Sequence, residues 1–254
     1  MNKFTVAIII LILGAFGALV AFSIIHPNKE PETDYSAIDS SKVIEASEEN
    51  GNIADHVRGK ADSSVVVVEY ADYQCPGCAS MAPHMDTIYS KYKDEVAFVF
   101  RNFPISGHAN ARAASAAAEA AGKQGYYWEM YETLYSNQNS WKEKTGEART
   151  NTLAELFAGA AKGGNVEQFR TDLSDENILK KIDFDYDLGK NYDNVTATPS
   201  IYVNGEWVDI NNIKTFDEVE EAVCNKIDAA LGKKSSTNST ESEATETKGS
   251  TVTE

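Results

Sequence analysis

Two thiols separated by two residues, in Cys75-Pro76-Gly77-Cys78, can close into a small disulfide or attack one in turn, and this is redox chemistry that needs no other group. At the start of a helix the first sulfur meets unpaired backbone N–H groups and the positive end of the helix dipole, which favour a thiolate at Cys75. Pro76 suits the first helical position, because its missing N–H would have had no partner there and its fixed φ fits the helix. Cys78, one turn deeper, is placed to resolve a mixed disulfide formed at Cys75. A lowered thiolate pKa would make Cys75 a good leaving group and its disulfide more oxidising.

The same two thiols could instead hold a metal or form an inert bridge. Zinc asks for two further ligands, and the chain offers one more cysteine, Cys224, and four histidines. His84, nine residues past Cys75, lacks the i, i+4 relation that two ligands on one helix face would use. No metal is expected. Three cysteines are also too few for a disulfide scaffold. Cys224 reads as a small hydrophobe at the edge of an apolar stripe, with a regulatory or intermolecular thiol as the alternative. His108 reads as a solvated loop histidine. Tyr126, Tyr127, Trp128, Tyr131 and Tyr135 read as the core of a helical block, with a part in a peptide groove as the minor reading.

The elements that must position the cysteines follow from apolar patterning. Val65 to Tyr70 and Val96 to Phe100 are β-branched, apolar runs suited to strands covered on both faces. A helix from the cysteines to about Lys93 lies between them, giving a parallel crossover. Helices are predicted over 109–121, 126–134, 152–162, 166–173 and 176–188, stopped by Gly122 and Gly163-Gly164. Strand pattern returns at Ser200 to Val203, turns at Asn204-Gly205 and continues from Glu206 to Ile210. In a last helix, Phe216 to Leu231, the residues Phe216, Val219, Val223, Ile227 and Ala230 share a face directed at the sheet. The order is β–α–β plus β–β–α with an α-helical insertion, an α/β fold with no internal repeat.

The chain is 254 residues long with a formal net charge of −16, which argues against nucleic acid, since phosphate binding relies on clustered Lys and Arg. Phe4 to Ile25 carries no charge and could cross a hydrocarbon core of about 30 Å as a helix. Residues 1–26 are therefore read as a cytoplasmic stub and uncleaved transmembrane anchor, the alternative being a cleaved export signal with its weak site near Leu19 and Ala21. Lys3 on one side and Glu30, Glu32 and Asp34 on the other put the N-terminus in the cytoplasm and the rest outside, where disulfides persist. Residues 27–52 read as a polar tether, 53–232 as one globular domain with the insertion over about 105–190, and 233–254 as a disordered tail rich in Ser, Thr and Glu.

The segment Val68-Glu69-Tyr70-Ala71-Asp72-Tyr73-Gln74-Cys75-Pro76-Gly77-Cys78 resembles the active-site segment of DsbA-like proteins in the thioredoxin superfamily. Asn102-Phe103-Pro104, Tyr126-Tyr127-Trp128-Glu129 and Thr198-Pro199, followed by Ile201-Tyr202-Val203-Asn204-Gly205, resemble later landmarks of that family, over roughly residues 53–231. The resemblance, which does not cover the apolar span, the tether or the tail, implies a thioredoxin fold with a mixed sheet and a protein disulfide oxidoreductase that donates disulfides to exported proteins during their folding. Its redox group would be the Cys75–Cys78 disulfide, without a bound cofactor. A membrane partner, a quinone-linked oxidase or an electron donor, would reset it, and the bilayer would be met through residues 4–25.

The resemblance further implies that Pro199 follows a cis bond and brings its loop to the cysteines. The backbone at Thr198 would pair with substrate, and Glu69 would be a buried acid that takes or relays the proton of Cys78. From the residues alone, Pro199 could be a strand-entry proline and Glu69 a strand-end acid reaching solvent. Pro83 matches a helix-bending proline of thioredoxins. Pro76-Gly77 departs from the Pro-His of typical DsbA enzymes, leaving direction of electron flow to be inferred from compartment. Two rivals remain: a reductase or isomerase using the same pair, and a non-catalytic tethered binding domain.

Overall fold

The computed structural model of the chain describes residue 35 and residues 37–233. The anchor, the first part of the tether and the tail expected from the sequence lie outside the described residues. Among those described, no helix is long and apolar enough to cross a membrane.

A five-stranded mixed sheet organises the domain: β1 (Val57–Gly59), β2 (Val66–Ala71), β3 (Ala97–Asn102), β4 (Ser200–Val203) and β5 (Glu206–Trp207), in the order β1-β3-β2-β4-β5. The central strands β2 and β3 run parallel, with Val68 opposite Val99 and Glu69 opposite Phe100. Every residue of β2 and β3 is buried, as their unbroken apolar runs require for strands covered on both faces. Strand β4 runs antiparallel to β2 and turns through Asn204-Gly205 into β5; Asn204 and Gly205 both have positive φ, as the two-residue turn demands.

Helix α1 (Pro76–Tyr92) connects β2 to β3, and α8 (Phe216–Ala230) packs beside it. Between them and the sheet lie Val67, Met81, Met85, Ile88, Phe98, Ile201, Val223 and Ile227. The insertion comprises α2 (Ala111–Gly122), α3 (Tyr127–Ser136), α4 (Gln138–Trp141), α5 (Gly146–Ala160), α6 (Val166–Asp172) and α7 (Glu176–Asn191). Alanines along α2 allow its neighbours to approach closely, and its core is continuous with Tyr73, Cys75, Cys78 and Phe100. The cysteines therefore sit at the seam between sheet and insertion.

The fold is the α/β arrangement expected, and the departures have local causes. Strand β1 carries no readable sequence pattern, being three residues long and paired only along one edge of β3. Helix α4, of four residues, is below the length at which periodicity can be read. Helix α5 begins at Gly146 rather than Thr152, and β5 ends at Trp207 rather than Ile210. Phe216 and Ala230, placed on the buried face of the last helix by their spacing, are exposed; Phe216 is the first residue of α8 and its ring stacks on His84 instead.

A larger departure concerns the tether expected over 27–52. Its residues from Ile38 onward are bonded to the domain: Arg101 donates to the carbonyls of Ser40 and Lys42, and Ser40 Oγ donates to Asp193 Oδ1 at 2.5 Å. Polar composition cannot distinguish a free linker from a strap whose backbone carbonyls feed a buried arginine.

Candidate active site

Cys75 is the N-cap of α1 and Pro76 its first helical residue, so the Cys75 sulfur faces the open N–H groups of Gly77 and Cys78. Cys75 retains 8% of its surface whereas Cys78 retains none. The Cys75 thiol is held down at about 5, chiefly by its hydrogen bond with Cys78 and further by the nearby Thr198 side chain, whose buried hydroxyl has no hydrogen-bonded partner of its own, and by the two backbone N–H groups, against the opposing effect of burial. Burial and the neighbouring Cys75 anion push Cys78 well above the ordinary thiol range. One sulfur is thus a reachable thiolate and the other a sheltered thiol.

The opposite wall is the loop entering β4. The Thr198–Pro199 bond is cis, and the Thr198 carbonyl lies 3.5 Å from Cys75 Sγ. A Cβ on Gly77 would meet Cys75 Sγ and Pro199 Cδ at 3.7 Å each, ordinary contact distances that place Gly77 against this loop without making glycine obligatory.

Side-chain alternation along β2 puts Glu69 on the same face as Val67, towards α1. Glu69 is buried, which settles the strand-end alternative against solvent, and its carboxyl is pushed up to about 7 by desolvation; Arg58 opposes this and Asp86 adds to it. Tyr131 offers a long hydroxyl contact at 3.5 Å, and Oε1 has no partner. The structure thus brings Cys75, Pro76, Gly77, Cys78, Thr198 and Pro199 together, with Glu69 buried behind α1.

Three side-chain amides fasten the Cys75 turn to the insertion, and no spacing or motif marks them. Gln138 Nε2 donates to the carbonyls of Tyr73 (2.9 Å) and Cys75 (3.1 Å) from a buried position. Gln74 Nε2 donates to the Lys142 carbonyl, and its Oε1 accepts from Asn110 N at 2.6 Å. Asn110 Nδ2 in turn donates to the carbonyls of Lys142 and Lys144.

His108 is not a free, solvated side chain: its Nδ1 lies 2.7 Å from Asp72 Oδ2, at the edge of a cleft of about 430 Å³ also lined by Gln74, Pro76, Asn110 and Lys142. Tyr127, Tyr131 and Tyr135 are buried, while Tyr126 and Trp128 are half-buried. Cys224 is half-buried on the flank of the α1–α8 core. His84, Asp217 and Glu220 come together across α1 and α8, with His84 Nδ1 2.8 Å from Glu220 Oε2. Spacing along one helix could not reveal that grouping.

A thioredoxin-type sheet that presents a thiol at a helix start against a cis-proline loop, with a helical insertion as cover, is the DsbA-like arrangement of the thioredoxin superfamily. Residues 51–224 match the family model described as thioredoxin, and the chain belongs to that family. It is 29% identical over 227 residues to the probable disulfide bond formation protein D of Bacillus cereus, covering 87% of this chain and 92% of that relative. The crystal structure of oxidised BdbD from Bacillus subtilis superposes with a TM-score of 0.59 at 26% identity, covering 75% of this chain and 98% of that one. A stretch of the Na(+)/H(+) antiporter NhaA 1 of Mycolicibacterium vanbaalenii is 33% identical over 156 residues, 59% of this chain. That match covers 23% of the antiporter, so the chain spans under a quarter of the length of this relative.

Proposed function

We propose that the chain is a membrane-anchored, extracytoplasmic oxidoreductase that donates the Cys75–Cys78 disulfide to exported proteins as they fold. The observation that carries this is the contrast between the two sulfurs, a Cys75 thiol held down at about 5 beside a buried Cys78 pushed up. Stabilising one thiolate stabilises the reduced pair, which makes the disulfide the better oxidant. The likeness to the disulfide bond formation protein D of Bacillus cereus points the same way.

A substrate thiolate attacks Cys75 Sγ of the disulfide, and Cys78 leaves. Because a thiolate is disfavoured at the buried Cys78, that sulfur takes up a proton, for which Glu69 is the donor. A second substrate thiolate then attacks the substrate sulfur of the mixed disulfide and Cys75 leaves as the stabilised anion. The substrate loses two electrons and gains a disulfide; the protein ends as Cys75 thiolate and Cys78 thiol. Thr198 backbone beside Cys75 holds the substrate strand, with Pro199 shaping the loop. The redox pair is the only prosthetic chemistry required.

Residues 4–25 anchor the chain as a single span with its N-terminus in the cytoplasm, and a quinone-linked oxidase in the same membrane restores the disulfide. Acidic charge leaves nucleic acid outside the partner set. Trapping with Cys78→Ala is the test. Mixed disulfides through Cys75 to exported proteins, and to a membrane oxidase, are the expected result. A wild-type pair that is reduced in cells, with a potential near that of thioredoxin at about −270 mV, would overturn the donor reading in favour of a reductase.

A further inference from the structure

Behind α1 two buried groups of opposite charge meet the same Tyr131 side chain, Glu69 through its hydroxyl at 3.5 Å and Arg58 over its ring at 5.4 Å, and are not joined to each other. Glu69 Oε1 has no hydrogen-bond partner, and neither has Arg58 Nε. An arginine this near a lone buried carboxyl would ordinarily pair with it, because leaving either unsatisfied is costly. Here Arg58 is held elsewhere. Its Nη1 donates to Asp86 Oδ1 at 2.8 Å, and its guanidinium carbon lies 4.4 Å from the ring centroid of Tyr89, 4.5 Å from that of Trp128 and 5.4 Å from that of Tyr131. Strand β1 delivers this side chain, Arg58 pairing in register with Phe98 on β3.

Asp86 lies at the surface end of the arrangement. It lines a cleft of about 300 Å³ between α1 and α3, together with Ala79, Ala82, Tyr131 and Tyr135. Tyr131 also contacts Glu69 Oε2, so the cleft reaches the side chain that touches the buried acid. The small residues Ala79 and Ala82 keep this wall of α1 open directly after Cys78.

We propose that Arg58 and Asp86 are positioning residues for the Cys78 proton, Asp86 holding Arg58 off Glu69 so that the carboxyl stays available as a proton carrier open to solvent along the α1–α3 cleft. The role rests on the disulfide-exchange reading of the site. Around Glu69 the charged and titratable groups are Arg58 from β1, Asp86 from α1, Tyr131 and Tyr135 from α3, and Tyr73 from the turn before α1; Glu132 lies beyond, beside Asp86 and Arg58. Desolvation is the largest influence on Glu69, Arg58 works against it and Asp86 with it. Replacing the two therefore has opposite consequences. Without Asp86 the guanidinium turns to Glu69 and favours the carboxylate; without Arg58 the acid keeps only desolvation and a negative neighbour.

The test is titration of the Glu69 carboxyl by 13C NMR in the oxidised full-length protein, assigned with Glu69→Gln. Asp86→Asn is expected to lower the midpoint, and Arg58→Met to raise it, each by roughly one pH unit, the size of shift a nearby charge produces. Arg58→Lys should return most of the way to wild type. A packing role alone would move the melting temperature without shifts of opposite sign. Asp86 is half-exposed, so Asp86→Asn reads the effect even if Arg58→Met fails to fold. Midpoints that stay within about 0.3 units of wild type, or that move in the same direction for both variants, overturn the proposal. Disulfide transfer to a reduced peptide, followed on the same samples, tests the exchange reading separately: loss of transfer in wild type would refute that reading while leaving the carboxyl midpoints to judge the charge pair.

Discussion

At the scale of single residues the site is an unequal pair of sulfurs, and that inequality is measurable. In the reduced protein the thiolate absorbance of Cys75 should titrate with a midpoint near 5, and Thr198→Val, which removes the hydroxyl beside the sulfur, should raise it by about half a unit to one unit. The sign for stability follows. A thiol whose folded pKa lies below its unfolded value stabilises the folded reduced protein above the unfolded pKa, and that gain is lost as pH falls through the folded one. Between pH 8 and 5 the reduced form should therefore lose stability relative to the oxidised form, seen as a melting-temperature difference that shifts towards the disulfide form as pH falls. Cys75, Cys78 and the Pro76 helix start were legible in the sequence because their roles are local: spacing, a cap and a dipole. Arg58, Asp86 and Gln138 were not, because each acts on a group far from it in the chain. The bonded state of His108 is hidden for the same reason, its partner Asp72 lying 36 residues away.

At the scale of elements, long apolar runs were readable and short or edge-bound pieces were not. Strands β2 and β3 and helix α1 follow from period and lie within a residue or two of expectation, and the Asn204-Gly205 turn falls where turn chemistry puts it, although its second strand stops three residues early, at Trp207 rather than Ile210. Strand β1 and helix α4 are too short to carry a period, yet they deliver Arg58 and Gln138. The insertion's docking on the sheet depends on one close approach that composition conceals. Gly189 in α7 lies against β2, where an added Cβ would fall 2.8 Å from Tyr70 Cε1 and 3.0 Å from Phe103 Cδ2. Both rings are buried, so neither can withdraw easily. Gly189→Ala gains helix propensity of about 1 kcal/mol but forces the helix off the sheet at a cost of roughly 1–3 kcal/mol. Urea unfolding should show net destabilisation, and a neutral or stabilised variant would mean that the α7 contact yields more readily than its rings suggest.

At the scale of the whole molecule, a buried ionic network binds strap, sheet and insertion into one unit. Arg101 of β3 donates from Nη2 to Asp55 Oδ2 at 2.8 Å; Lys181 of α7 donates to Asp55 Oδ1 and Asp185 Oδ1, and Asn102 donates to Asp185 and Glu119. Arg101, Lys181, Asp55, Asp185 and Glu119 are all buried. Arg101 and Lys181 hold the Asp55 carboxyl well below the usual range, against the penalty of burial. Asp185 is instead pushed up to about 6, because desolvation and its acidic neighbours outweigh Lys181. Such a network contributes less to net stability than its contacts suggest, since removing charges from water is expensive; breaking it from one side is a different matter. Arg101→Leu leaves Asp55 without its principal partner and releases the carbonyls of Ser40 and Lys42. The expected cost is about 3–5 kcal/mol in urea unfolding at pH 7, with proteolytic cleavage newly admitted between Ile38 and Asn52. Adding Asp55→Leu to Arg101→Leu should recover part of the loss, because the uncompensated charge goes with it. If the double variant is as unstable as the sum of the single ones, the strap's carbonyls and not the Asp55 charge are what Arg101 chiefly serves.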